Sequence, residues 1–143
     1  MIKHNNPCGA AVADTLQEAC EKAFAGDPVS AFGSVIGLNR IVDMATAEFL
    51  ADGDFFIEAI VAPGFDDDAL EVLVTRPKWK KNVRLLKVGD LAPQKGGWEM
   101  RQLVGGVLVQ DADIEPDAQH EWKIVTEEEP DVDTMKELAF GWS

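Results

Sequence analysis

The strongest constraint on the fold is an alternation of helical and strand-like segments between residues 15 and 88. Residues 15–25 place Leu16, Ala19, Cys20, Ala23 and Phe24 at the spacing of one helix face. Asp14 or Thr15 can cap the start of that helix, and Gly26 follows its end. Residues 34–38 are short, apolar and β-compatible, which predicts a buried strand. Residues 43–51 predict a second helix with Asp43 as its cap, and residues 58–62 a second strand stopped by Pro63-Gly64. Residues 66–74 predict a third helix, whose acidic first turn suits the helix dipole. Residues 83–88 predict a third strand. Strands and helices that alternate in this way build a layered α/β sheet.

The second half is less regular. Residues 90–97 read as a loop, 100–103 and 106–110 as two strands around Gly105-Gly106, and 111–121 as a polar excursion. Residues 132–142 predict a helix with Asp131 or Asp133 near its start, and Glu127-Glu128-Glu129 a solvated charge run. The 143 residues suffice for one core and are read as one partial domain, 1–143. Its ends are abrupt: Met1-Ile2 lead straight into Lys3-His4, and Phe140-Gly141-Trp142-Ser143 close inside an amphipathic helix. The expectation is a piece of something larger, with an uncovered apolar helix face that favours self-association.

Charge and composition narrow the function. A formal net charge of -13 argues against wrapping nucleic acid, which needs a basic face. It leaves room for a phosphorylated small molecule held by a local cluster of donors. Cys8, Cys20, His4 and His120 have no zinc-ligand spacing, so no metal is expected. A disulfide would need an oxidising compartment. No secretory signal precedes Lys3 and no apolar run is long enough to span a bilayer, so the expected location is cytoplasmic, away from membranes.

The densest polar cluster is Lys3-His4-Asn5-Asn6-Pro7-Cys8-Gly9. Pro7 and Gly9 force a turn there, so that neither strand nor helix is expected to continue. The adjacent pair suits acyl transfer: an imidazole can take a proton, and an ammonium can stabilise a developing oxyanion. A Lys-His pair near a terminus can equally be plain surface. Asp27-Pro28-Val29-Ser30-Ala31-Phe32-Gly33 reads as a loop between a helix and a strand. It can offer backbone N–H groups and the Phe32 ring to a ligand, or it is a tight connection with Phe32 in the core. Glu58 opens an apolar strand, where it can accept hydrogen bonds from a ligand or simply mark an exposed strand end.

Taken in order, Lys-His-x-x-Pro-Cys-Gly, Asp-Pro-Val-Ser-Ala-Phe-Gly and Glu-Ala-Ile-Val-Ala-Pro-Gly resemble the AICAR transformylase domain of the bifunctional purine-biosynthesis enzymes. Trp98-Glu99-Met100-Arg101, Gly105 to Gln110 and Glu137 to Trp142 extend the resemblance over nearly the whole chain. It implies a fold similar to that of cytidine deaminase, without zinc, in one of the family's two related halves. It implies formyl transfer from 10-formyltetrahydrofolate, as co-substrate, to the amine of aminoimidazole carboxamide ribotide (AICAR). Lys3 and His4 would be the catalytic pair, Phe32 and Gly33 would border the AICAR base, and Glu58 would hydrogen-bond it. Asn6, Pro7 and Cys8 would shape the turn, with no acyl-enzyme on Cys8.

The chain departs from that pattern in what it lacks. The family's Arg-Tyr-Gly-Glu-Asn-Pro-His-Gln stretch, its Lys-Ser-Asn-Ala segment, most folate contacts and the cyclohydrolase domain are absent. A fragment or split subunit, completed by a second-half polypeptide or by homo-oligomerisation, is therefore expected to be weakly active or inactive alone. The alternatives are an inactive purine-ligand-binding remnant and a structural module in which Lys3 and His4 are incidental.

Overall fold

The computed structural model describes residues 1–91, 96–113 and 122–142. The chain divides into two compact units, Met1–Ala92 and Pro93–Ser143. The first is the α/β sheet expected from the alternation. Its elements are β1 (Ile2–Lys3), β2 (Asn6–Pro7), α1 (Leu16–Gly26), α2 (Pro28–Ala31), β3 (Ser34–Gly37), α3 (Met44–Asp52), β4 (Ile57–Ala62), α4 (Asp67–Thr75) and β5 (Arg84–Lys87). The strand order is β2-β1-β3-β4-β5. β3, β4 and β5 run parallel, and β1 lies antiparallel to β3 through Ile2 opposite Val35.

The helix starts follow from their caps. Thr15, not Asp14, caps α1: its hydroxyl accepts from the Glu18 amide at 3.2 Å. The Asp43 carboxylate accepts from the Thr46 amide at 2.9 Å and starts α3. β4 is an interior strand between β3 and β5, and its Ile57, Ala59, Ile60 and Ala62 are all buried, as expected for a strand flanked on both sides by parallel neighbours. Around it, Leu50 and Ala47 of α3, Ala69 and Leu73 of α4, Val42 and Trp79 close the core.

Two stretches differ from the sequence reading. Residues 27–33 are not all loop: one helical turn, α2, interrupts them. The Asp27 carboxylate accepts from the Ser30 amide at 3.0 Å, and Pro28 takes the first helical position, where no N–H is needed. The backbone also does continue as strand at Pro7. β2 is the sheet edge, the one place where a residue without an N–H does not break a ladder.

The second unit holds a hairpin and a helix. β6 (Trp98–Leu103) pairs antiparallel with β7 (Gly106–Asp111), two residues longer at its start than the sequence suggested. Val104-Gly105 form the connection, with Gly105 at φ +86°. Every residue of both strands is exposed. α5 (Val132–Trp142) has the predicted bounds, and Asp131 caps it by accepting from the Thr134 amide at 2.8 Å. The Trp122 and Trp142 rings meet edge-on at 6.4 Å. Most of the polar stretch 111–121, with His120, and residues 92–95 of the expected loop lie outside the described residues. Among the described residues no helix is long and apolar enough to cross a membrane.

Candidate functional site

Lys3 and His4 sit where a two-residue hairpin begins to turn. β1 and β2 are joined by His4-Asn5, and both have positive φ, 52° and 68°. That region costs a residue with a Cβ about 1 kcal/mol, and Asn or Gly is the usual occupant. Histidine there is held by its surroundings. The Met1 amino group donates to the Gly9 carbonyl at 2.7 Å, and the Cys8 amide donates to the Met1 carbonyl at 3.0 Å. Both arms of the hairpin are thus tied down, and Ile2 fastens them to β3.

From this hairpin the Lys3 ammonium donates to the carbonyl of Phe32. The next residue, Gly33, has φ +75° and donates its amide to the Phe56 carbonyl at 2.7 Å. A Cβ placed on Gly33 would lie 3.6 Å from the Phe56 ring and 3.7 Å from the Lys3 nitrogen. Gly33 therefore lies in van der Waals range of both. Phe32 is 57% exposed and stacks on Phe56 at 5.5 Å between centroids. The reading of Phe32 as a core residue is overturned: its neighbours Ala31 and Ser34 take the buried positions instead.

A recess of about 480 Å³ opens beside the pair. Lys3, His4, Asn6, Pro7 and Cys8 of the hairpin line it together with Asp27, Val29 and Ser30, which form its second wall by sequence. Hydrogen bonds from the Ser30 hydroxyl and amide hold the Asp27 carboxyl below the usual carboxylate range, so this wall carries a negative charge at neutral pH. A smaller crevice of about 220 Å³ lies elsewhere, among Leu16, Cys20, Ala23 and Ile36. Its lining holds no basic or acidic side chain, so the first recess is the candidate site.

The structure therefore brings Lys3 to Phe32 and Gly33, while His4 shares with Lys3 a recess that Phe32 and Gly33 do not line. Glu58 is placed differently. It is the second residue of β4, half-buried, and its carboxylate meets the Arg84 guanidinium of β5 at 3.3 Å. Among the described residues no three His, Cys, Asp or Glu side chains gather as a metal ion would require.

A family model described as the AICARFT/IMPCHase bienzyme matches residues 1–143. The chain belongs to this family. Bifunctional purine biosynthesis proteins PurH are similar to it over nearly its whole length. The one from Rhodopirellula baltica is 55% identical over 142 residues, which cover 99% of this chain and 27% of that protein. The one from Persephonella marina is 42% identical over 142 residues, 99% of this chain and 26% of that protein. The one from Clostridium botulinum strain Hall is 46% identical over 140 residues, 98% of this chain and 26% of that protein. The chain thus spans about a quarter of the length of these relatives.

For an AICARFT/IMPCHase chain, sequence reasoning singled out residues 27–33 but missed their helical turn, and it missed Phe56 altogether. The Phe55-Phe56 doublet ahead of an apolar strand was a visible signal, but nothing local tells which ring meets Phe32. The aspartate in Asp-Pro-x-Ser was the signal for a capped turn.

Proposed function

We propose that this chain carries the base and the oxyanion stabiliser of an AICAR transformylase. The reaction is formyl transfer from 10-formyltetrahydrofolate to the AICAR amine, in purine biosynthesis in the cytoplasm. In this reading residues 1–143 are part of a larger transformylase domain with a cytidine deaminase-like fold. A complementing polypeptide or a homo-oligomer completes the site. Membership of the family supports it, and the observation that carries it is the Lys3 ammonium held on the Phe32 carbonyl.

A carbonyl is a neutral acceptor. It fixes the ammonium without cancelling its charge, and it takes one of three N–H donors. The other two remain for an oxyanion. The AICAR amine is a poor nucleophile because its lone pair is delocalised into the ring and carboxamide. His4 draws a proton from it by way of the carboxamide while its nitrogen bonds to the formyl carbon. The formyl oxygen becomes an oxyanion beside Lys3. The oxyanion then re-forms its carbonyl as the bond from the formyl carbon to the folate nitrogen breaks, that nitrogen takes the proton that His4 had drawn, and formyl-AICAR and tetrahydrofolate leave. Phe32 and Gly33 border the purine precursor, and Glu58 exchanges Arg84 for a hydrogen bond to it.

The test is formyl transfer by the wild-type chain and by Lys3→Ala, each alone and each mixed with a polypeptide carrying the remainder of the transformylase domain. Activity on mixing that disappears with Lys3→Ala is the expected result. A folded chain that yields no activity in any mixture overturns the reading and leaves a ligand-binding or structural remnant.

A further inference from the structure

Phe56 touches both residues of the Phe32-Gly33 pair, by two different means. Its carbonyl accepts from the Gly33 amide at 2.7 Å, and its ring stacks on Phe32 at 5.5 Å with 27° between planes. Phe56 immediately precedes β4, whose Ile57 is buried, and its own ring packs against the core. The side chain therefore has one surface on the fixed interior and another on an exposed loop. From the resemblance alone nothing marked this position.

We infer that Phe56 is a positioning residue that sets where the Lys3 ammonium rests, acting through the Phe32 carbonyl. Three links make the chain. The ring stack fixes Phe32, which is otherwise largely solvent-exposed. The Gly33 amide bond fixes the peptide plane that follows, at a left-handed residue where the backbone has room to turn. Together they orient the Phe32 carbonyl, which takes the Lys3 hydrogen bond. An exposed lysine on a flexible stem otherwise samples many rotamers. Catalytic groups act only when held near their productive geometry, so Phe56 contributes by restricting Lys3 rather than by touching substrate.

For its effect on catalysis this inference rests on the transformylase reading, but its geometry does not. The first measurement therefore needs no turnover. The whole chain is treated with a succinimidyl acetate reagent, and acylation of Lys3 is followed by mass spectrometry with Lys136 as internal reference. Phe56→Leu, which removes the stack, is expected to raise the Lys3 rate about threefold, the scale of one aromatic pair. Phe56→Tyr keeps the stack and is expected to match wild type. Phe32→Leu removes the other ring from the exposed side, where folding is least at risk, and is expected to reproduce Phe56→Leu. In the reconstituted assembly, Phe56→Leu should lower kcat with little change in KM for AICAR, and Phe56→Tyr should restore it.

Equal Lys3 rates in wild type, Phe56→Leu and Phe32→Leu, with all three folded, overturn the inference. An inactive wild-type assembly with the expected Lys3 rates sinks the transformylase reading and leaves the positioning role intact.

Discussion

The Lys3 ammonium hydrogen-bonds the carbonyl of Phe32, a residue 29 positions further along the chain. The first strand and the loop before the third are joined at the point where the cation sits. What fixes that loop also fixes the cation, and Gly33 is the most exposed weakness in it. At φ +75° an alanine is strained, while the space around its Cβ offers only ordinary contacts at 3.6 and 3.7 Å. Gly33→Ala is expected to cost about 1 kcal/mol in thermal denaturation, from the backbone alone. A cost several times larger would mean that the alanine methyl is sterically excluded after all.

Gly9 poses the opposite case. A Cβ there would lie 2.0 Å from the Ala23 carbonyl oxygen, and backbone cannot step aside as a side chain can. Gly9→Ala is expected to destabilise by at least about 2 kcal/mol, as overpacking against backbone does. Urea titration followed by tryptophan fluorescence reads it, and an unchanged midpoint would contradict the close approach.

The hairpin connection offers a gain. Asn5 has φ 68°, where glycine has no Cβ penalty. Asn5→Gly should stabilise the chain by a few tenths of a kcal/mol to about 1 kcal/mol. A lower melting temperature would show that the Asn5 side chain contributes more than its backbone costs.

The neighbouring Thr46 side chain and the hydrogen bond from the Thr46 amide hold the Asp43 carboxyl below its usual 3.8. A depressed carboxylate stabilises the fold above its unfolded pKa, and that stability is lost as pH falls through the folded value. Asp43→Ala should therefore cost about 1 kcal/mol at neutral pH, and the difference from wild type should shrink below about pH 4. A difference that stays constant down to pH 2 would argue against the charged cap.

Burial pushes the Cys20 thiol up from 9.0 to about 11; the positive amino terminus opposes this, and Asp43 and Glu21 add to it. The folded state favours the thiol, so nothing is lost below pH 9. Above it the unfolded chain releases a proton that the folded chain keeps. Stability should fall between pH 9 and 11 by about 2 kcal/mol, and Cys20→Ala should flatten that slope. Iodoacetamide should modify the half-buried Cys8 well before the buried Cys20.

What the sequence made legible was what local chemistry decides. The periods of 15–25, 43–51 and 66–74 placed α1, α3 and α4 within about a residue, because each carries its own apolar stripe, with a side-chain cap on α1 and α3 and an acidic first turn on α4. Asp43 was recognisable as a cap since a carboxylate bonds the amide three residues on, and of the two candidates near the start of α5 the structure selects Asp131. The Lys3-His4 and Phe32-Gly33 motifs were legible and the resemblance set both around one ligand, but the direct bond from Lys3 to the Phe32 carbonyl was not legible. That depends on β1 lying beside β3, a pairing of only two short segments with no periodicity to reveal it. The β2 strand was missed for a related reason: proline excludes a central strand, and nothing in the residues says that this one is an edge. Phe56 escaped because a ring before a strand tells nothing of what it stacks on.

The parallel run of β3, β4 and β5 also bears on how the site comes into being. Lys3, His4, Phe32 and Gly33 all leave the ribosome before β4, yet Phe56, which braces them, arrives with it. Parallel neighbours cannot pair until the crossover between them has been made, so a nascent chain that has emerged only through β3 holds the cation and its carbonyl with no brace behind them. The Lys3–Phe32–Phe56 contacts are then expected to be complete only once Ile57–Ala62 lies beside Ser34–Gly37.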